Sequence, residues 1–378
     1  MNQKTLDMDP GIDSVALGSY LEKSGMDIAL PIICRKFSFG QSNPTFLIID
    51  NKGKKFVVRK KPDGQLISKT AHAVEREYRI IKALGDNTQV PVPTTYLLCT
   101  DTSILGTPFY VMEFLDGRIF VNPLLPEVEP TERKLYWQEL VNVLASLHSV
   151  DFIKIGLDGY GKAGGYYKRQ CKSLLKVHDQ QAASADRVTG VKVGPLPKFY
   201  DLIRWFNDDE NLCPDDVTIV HGDYKLDNVV FHKTEPRIIG ILDWELSTIG
   251  NPRADLANMT QYSIDFSKSK FDISSNNKNS NVSPEFVPTE DQMVQMYCKA
   301  SNRPYPLLGW KYALAFSYLR NSVIGHGIAA RVARGQASSL DAVEAAKSAP
   351  ISIMRSYEIA NSVSPVLPVT GLTKSSKL

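Results

Sequence analysis

The sequence has few cysteines, little excess charge and no long apolar run, and each shortage excludes a class of protein. Its five cysteines are spread singly without a C-x-x-C pair, so we expect reduced thiols in an intracellular compartment and no disulfide framework or zinc site. The 44 basic and 41 acidic residues leave a net charge of only +3, which argues against a nucleic-acid-binding surface. No stretch approaches the ~18 apolar residues of a membrane-spanning helix.

What remains is an ordinary globular composition, with 43% hydrophobic and 22% charged residues over 378 positions. That length suits two or three domains at about 150 residues each.

Met1 to Pro10 lacks an apolar core and an Arg-rich pattern, so no cleavable leader is expected. The chain closes on Ser376-Lys377-Leu378 after a tail rich in Ser, Pro and Thr. This tripeptide predicts recognition by the peroxisomal import receptor and a location in the peroxisome matrix.

The first 115 residues predict a small antiparallel sheet with one helix. Thr45 to Asp50 and Lys54 to Arg59 are apolar runs around an Asn/Gly connection, which is typical of a hairpin. Ala71 to Leu84 has helical spacing of its apolar residues. Further strands are expected at Pro31 to Phe39, Tyr96 to Thr100 and Phe109 to Phe114. This region is our predicted N-terminal lobe, residues 1–115.

Residues 116–361 predict a larger, mostly helical lobe with an inserted hairpin at Val217 to Leu242, and 362–378 a flexible tail. The fold class is therefore α+β. Ser267 to Pro284 is rich in Ser, Asn and Lys and predicts a loop. His326 lies in an apolar run and is expected to be a core histidine. Gly159 to Gly164 matches G-x-G-x-x-G, but no βαβ pattern surrounds it, so it does not predict a dinucleotide site.

The segment from His221 to Asn228 reads H-x-D-x-K-x-x-N and carries the strongest chemical signal. Phosphoryl transfer needs an oriented hydroxyl, a divalent metal held against phosphates, and neutralised charge. Asp223 is placed to accept the hydroxyl proton, and Lys225 to lie beside the transferring group. Asn228 and Asp243 supply the oxygen ligands that Mg²⁺ prefers.

Segments upstream fit the nucleotide half of the same reaction. The turn from Phe37 to Asn43 could fold backbone N–H groups over phosphates. Arg59 ends a strand where kinases place a lysine, and Glu77 on the next helix could pair with it. The strand from Tyr110 to Phe114 is suited to meeting a purine with backbone groups. Predicted nucleotide-binding residues are Gly40, Gln41, Ser42, Asn43, Arg59, Glu77, Met112, Glu113 and Phe114.

These motifs resemble the aminoglycoside phosphotransferase/choline kinase-like family, and most closely the kinase-like domains fused to certain acyl-CoA dehydrogenases. The likeness rests on Gly40 to Thr45, Val74 to Tyr78, His221 to Asn228, Ile241 to Glu245 and Gly250 to Ala257. It implies a protein-kinase-like two-lobed fold that uses ATP and Mg²⁺. It also implies that Asp223 is the catalytic base and that Asp255 braces the catalytic loop. Arg59 departs from the usual lysine and is not its equivalent near phosphate.

We therefore expect an ATP-dependent kinase for an alcohol oxygen, acting on a hydroxy fatty acid or hydroxyacyl-CoA in peroxisomal lipid degradation. A kinase of a choline-, sugar- or antibiotic-like alcohol and a silent nucleotide-binding adaptor remain as alternatives. The resemblance places the loop at Gly159 to Gly164 beside the acceptor cleft. The basic residues that follow would suit an anionic acceptor such as a CoA thioester, although a solvated charged face fits them slightly better. Candidate acceptor-binding residues are Tyr166, Lys168, Arg169 and Glu245.

Overall fold

The computed structural model of the chain describes residues 5–6, 11–37, 43–62, 73–211, 213–271, 287–336 and 342–362. Three predictions therefore fall wholly or largely outside the described residues. They are the nucleotide contacts of Gly40, Gln41 and Ser42, the loop beyond residue 271, and the tail with Ser376-Lys377-Leu378.

A six-stranded antiparallel sheet organises the N-terminal part, in the order β1-β2-β3-β4-β6-β5. The predicted hairpin is confirmed, since the Asp50 amide donates to the Lys54 carbonyl at 2.9 Å. Gly53 takes a φ of +83° within that turn, a conformation that glycine adopts without steric cost. The strands are β1 (Thr5–Leu6), β2 (Ile33–Phe37), β3 (Thr45–Ile49), β4 (Lys55–Lys60), β5 (Thr95–Cys99) and β6 (Phe109–Glu113).

Among the described residues, three helices accompany this sheet, and the sequence analysis predicted only the second. They are α1 (Ser14–Lys23), α2 (Val74–Asn87) and α3 (Thr102–Leu105). Asp13 caps α1 by accepting hydrogen bonds from the next turn, and Asp101 caps α3 in the same way. The face of α2 that the spacing predicted is buried, with Val74, Ile81 and Leu84 at 0–2% exposure.

The rest of the chain is mostly helical, with two short strand pairs around the candidate catalytic segment. Strand β7 pairs antiparallel with β10, and β8 with β9, which confirms the predicted hairpin. Helix α7 continues to Phe271, into the predicted loop. The elements are α4 (Arg133–His148), α5 (Tyr166–Ala182), α6 (Phe199–Asn207), β7 (Thr218–Val220), β8 (Val229–Phe231), β9 (Ile238–Ile241), β10 (Thr248–Gly250), α7 (Arg253–Phe271), α8 (Glu290–Ala300), α9 (Trp310–Ala333) and α10 (Ala342–Asn361).

The chain forms two compact units, residues 1–169 with 213–313, and residues 170–212 with 314–378. These boundaries differ from the predicted division at residue 115, which stays a prediction. The main core of the first unit joins α2, β6, α4 and the β8–β9 hairpin through residues such as Leu84, Tyr110, Trp137 and Phe231. One continuous core therefore supports both the sheet and the predicted catalytic segment.

In the second unit, His326 is a core histidine, as expected. Its ring is 3% exposed and contacts the Gln181 side chain and the Gly194 carbonyl at 3.2 and 2.9 Å. The His178 ring stacks on it with centroids 5.1 Å apart. Burial lowers the pKa of His326, and it also lowers the pKa of His178. Both rings are therefore neutral at physiological pH.

The five cysteines are all free thiols, which agrees with the expectation of an unbridged set. Four of them are buried and Cys213 is half-buried. Within the part of the chain that the structure describes, no helix combines the length and apolarity that crossing a membrane requires.

Candidate active site

The predicted catalytic segment follows β7 and ends in a single 3-10 turn, Leu226–Asn228, directly before β8. Gly222 has a φ of +89°, and a Cβ at this position would lie 2.5 Å from the Leu246 carbonyl oxygen. Only glycine fits this close approach. The bend that it allows lies directly before Asp223.

Asp255, at the start of α7, braces this segment as the resemblance implied. Its carboxylate accepts the backbone N–H groups of His221 and Gly222 at 2.7 and 2.8 Å. The His148 Nε2 lies 3.3 Å from the same carboxylate. Burial alone would raise the pKa of Asp255, but the His148 contact and the backbone donors hold it below its ordinary value. Asp255 is therefore an ionised acceptor that fixes two consecutive amides.

Two side-chain amides hold Asp223. Asn228 Nδ2 donates to the Asp223 carbonyl at 2.8 Å and to its Oδ2 at 3.0 Å. Asn258 Nδ2 lies 3.3 Å from the Asp223 Oδ1. The sequence analysis missed Asn258, although its position three residues after Asp255 on α7 puts both on one helix face. The Asp223 carboxylate is thereby oriented from both of its oxygens.

Arg59 is the last but one residue of β4 and lies in a cluster of three carboxylates. Its Nε lies 2.9 Å from Glu77 Oε2, which confirms the predicted pairing. Its Nη2 lies 2.5 Å from Asp243 Oδ1 and 3.5 Å from Glu245 Oε2. Burial raises the pKa of Glu77 to about 7, against the opposing attraction of Arg59. Asp243 adopts a left-handed backbone with a φ of +63°, which turns its side chain out of the strand direction set by β9.

Glu77 is itself held by two residues that the sequence placed near the nucleotide. Asn43 Nδ2 donates to Glu77 Oε1 at 2.6 Å, and the Tyr110 hydroxyl donates to Oε2 at 3.1 Å. Asn43 is fully buried. Its side chain therefore anchors the start of α2, and its predicted contact with nucleotide stays a prediction.

A cavity of about 340 Å³ brings six of the predicted residues together. This volume is at the lower end of the range for ligand pockets. Its lining includes the predicted Arg59, Met112, Glu113, Phe114, Asn228 and Asp243. It also includes Phe37, Thr45, Val57, Ile81, Pro93, Tyr110, Leu115, Ile119, Val121, Asp227, Ile241, Leu242 and Trp244, so the walls are largely apolar.

Lys225 contacts two carboxylates of the predicted catalytic segment. Its Nζ lies 3.5 Å from Asp223 Oδ2 and 3.3 Å from Asp227 Oδ2. Burial opposes its charge, but the two carboxylates raise the pKa of Lys225 above its ordinary value, so it is a cation. The sequence analysis did not single out Asp227, which both pairs with Lys225 and lines the cavity.

The candidate acceptor residues have separate environments. Tyr166 is buried, and its ring takes the space that a Cβ on Gly250 would need. Arg169 donates to the backbone carbonyls of Lys162 and Gly164 and so ties down its own loop. Lys168 is exposed, and Glu245 belongs to the Arg59 cluster. Their roles in acceptor binding stay predictions.

The donor set fits a magnesium ion. The Asn228 nitrogen is committed to Asp223, which leaves its oxygen as an acceptor, and Asp243 shares the same cavity. Among the described residues, no three His, Cys, Asp or Glu side chains form a metal cluster. A cation would therefore rely on these two side chains and on phosphate oxygens, which is the usual arrangement for Mg²⁺ at phosphates.

Residues 33–272 match the phosphotransferase enzyme family, which is more than half of the chain. The chain belongs to this family. In the family, a Ralstonia eutropha protein named as an aminoglycoside phosphotransferase has a solved structure with 34% sequence identity and a TM-score of 0.74. The match covers 92% of this chain and 98% of that one. The predicted family and the predicted protein-kinase-like fold are therefore confirmed. The predicted enzyme class, a kinase-like phosphotransferase, is confirmed as well.

More distant structures share the fold. A thermostable aminoglycoside phosphotransferase solved with ADP and hygromycin B is 14% identical, with a TM-score of 0.57 over 92% of this chain and 100% of that one. A Plasmodium vivax ethanolamine kinase is 13% identical, with a TM-score of 0.58 over 91% of this chain and 87% of that one. At such identities the likeness concerns the fold alone.

Curated relatives carry the other half of the resemblance. The acyl-CoA dehydrogenase IBR3 of Arabidopsis thaliana is 42% identical over 80% of this chain, and human acyl-CoA dehydrogenase family member 11 is 36% identical over 97%. The chain spans 37% of the first relative's length and 43% of the second's. Both matches agree with the predicted likeness to kinase-like domains fused to acyl-CoA dehydrogenases.

Proposed function

We propose that this chain is an ATP-dependent, Mg²⁺-dependent kinase that phosphorylates an alcohol oxygen of a small molecule. The observation that carries the proposal is the Asn228 amide. It bonds to the carboxylate of Asp223 at 3.0 Å and lines the cavity that Arg59 and Asp243 also line. The proposed base thus contacts one of the two proposed metal ligands, and both of those ligands line one apolar-walled cavity.

The residues divide the reaction between them. The backbone of Met112 to Phe114 would meet the purine in the apolar part of the cavity. Asp223 would orient the acceptor hydroxyl and take its proton as the new O–P bond forms and the bond to the ADP leaving group breaks. Lys225, fixed by two carboxylates, would offset charge beside Asp223. Asn228 and Asp243 would hold Mg²⁺, which when bound neutralises phosphate charge.

We propose a hydroxylated fatty acid or its CoA ester as the acceptor. The named activity of the relatives supports this class, because acyl-CoA dehydrogenases act on CoA thioesters and share this domain. The terminal Ser376-Lys377-Leu378 supports a peroxisomal site of action and the import receptor as a partner. Choline, sugars and antibiotic-like alcohols are the competing acceptors.

Turnover of ATP with each acceptor class tests the proposal. We expect phosphorylated product from a hydroxyacyl-CoA or hydroxy acid, and a loss of about 100-fold or more in kcat for Asp223→Asn, since a general base contributes at least that much. Asp158→Asn changes an exposed carboxylate and serves as the matched control. Equal rates for wild type and Asp223→Asn would end the kinase proposal. ATP-stabilised melting without turnover would identify a nucleotide-binding adaptor.

The location has its own test. Removing the last three residues from a tagged full-length chain is expected to leave it in the cytosol, as seen by microscopy against a peroxisomal marker. Peroxisomal signal that persists after the deletion would contradict the location and leave the kinase proposal standing.

A further inference from the structure

Arg59 contacts three carboxylates from two different segments of the chain. Its Nε forms an ion pair with Glu77 on α2 at 2.9 Å. Its Nη2 donates a hydrogen bond to Asp243 at 2.5 Å and lies 3.5 Å from Glu245, both beyond β9. Its side chain is only 10% exposed. The guanidinium is therefore already engaged with protein carboxylates, whereas a kinase lysine at this position is expected to contact phosphate.

We propose that Arg59 is a positioning residue for Asp243, which fixes the carboxylate so that its second oxygen can take the metal, and that it is not a phosphate ligand. This inference rests on the proposed function, because it concerns the metal of that reaction. It also accounts for arginine at this position, which the sequence analysis could only register as a departure.

The geometry of Asp243 makes such a support necessary. Its left-handed φ of +63° is uncommon for a residue with a side chain. Its side chain is 36% exposed, so burial alone does not restrain it. The contact through Oδ1 restrains the carboxylate while leaving the other oxygen as a ligand.

Arginine can make this support and lysine cannot. The Nε and Nη2 atoms lie at fixed positions in one plane, so the Glu77 contact orients the group that holds Asp243. A lysine ammonium is a single point on a flexible stem and sets no such direction. Asn43 and Tyr110 hold Glu77 in place, because each donates a hydrogen bond to its carboxylate.

Binding of Mn²⁺ to Arg59→Lys, followed by electron paramagnetic resonance in the presence of ADP, tests the inference. Lysine keeps the positive charge, so electrostatic repulsion of Mn²⁺ is unchanged. A change in Mn²⁺ affinity therefore reports the loss of the planar guanidinium. We expect Mn²⁺ affinity to fall about tenfold or more, as is usual when the partner of a metal ligand is removed. We expect ADP binding in excess EDTA, measured by calorimetry, to be unchanged.

Two further variants bound the result. Glu77→Gln weakens the anchor of the guanidinium and is expected to reduce Mn²⁺ affinity in the same direction. Arg35→Lys makes the same substitution on the exposed part of β2 and is expected to change neither measurement. Melting curves for all variants establish that they are folded before the titrations are compared.

Unchanged Mn²⁺ affinity in Arg59→Lys would overturn the inference. A parallel loss of metal-free ADP binding would also overturn it, because Arg59 would then be a phosphate ligand. Neither titration needs an acceptor alcohol. Failure of the proposed function therefore appears separately, as the absence of phosphorylated product from the wild-type chain.

Discussion

Replacing Asp255 by Asn tests the brace on which the catalytic segment depends. The substitution keeps the shape but turns one acceptor oxygen into an NH₂ group. That group must then face one of two backbone donors, His221 N–H at 2.7 Å or Gly222 N–H at 2.8 Å. One buried N–H is left unpaired, which costs about 1–3 kcal/mol, and the charge assistance of the other hydrogen bonds is lost.

A total loss of about 3 kcal/mol in the free energy of unfolding is expected to lower the melting temperature by about 6–12 °C. This conversion uses about 2–4 °C per kcal/mol for a unit of this size. Differential scanning calorimetry measures the shift. The expected displacement of Asp223 should lower kcat in the same variant. Asp27→Asn is the control, since its carboxylate is 92% exposed and its ion pair with Lys54 contributes at most about 1 kcal/mol. A shift for Asp255→Asn no larger than the control's would refute the reasoning.

Two further predictions concern the turn and the second unit. Gly222→Ala is expected to reduce kcat and melting temperature together, because its Cβ would meet the Leu246 carbonyl at 2.5 Å and its φ of +89° strains alanine; activity equal to wild type would contradict this. Burial keeps the folded pKa of His326 below its ordinary 6.5. The unfolded chain therefore binds the proton first, and stability is lost as the pH falls below that value. His326→Gln should consequently show a smaller drop in melting temperature between about pH 7.5 and 5.5 than wild type; parallel curves would exclude this role.

Local patterns in the sequence predicted the elements that fold on local signals. The hairpin of β3 and β4, the buried face of α2 and the mostly helical character of residues 116–361 follow from apolar spacing and turn residues. Helices α1 and α3 were missed although Asp13 and Asp101 signal their starts. Helix α3 has only four residues, too few to show a helical period. Strand β10 was missed because its three residues become a strand only by pairing with β7, a contact that no local pattern specifies.

The candidate site shows the same limit. The H-x-D-x-K-x-x-N spacing identified Asp223 and Asn228, and the structure joins them directly. The contact between Arg59 and Asp243 links residues 184 positions apart and could not be read from either segment. Asn43 and Arg169 show that a polar residue in a suggestive position can be committed to its own backbone or to a neighbouring carboxylate.

The free thiols have a consequence for chemistry in an oxidising environment. Burial raises the pKa of Cys34 to about 11 and the pKa values of Cys171 and Cys213 to about 12. Hydrogen peroxide attacks the thiolate, and at neutral pH these sulfurs are almost entirely protonated. Burial in the fold therefore makes Cys34, Cys171 and Cys213 poor targets for oxidation by hydrogen peroxide.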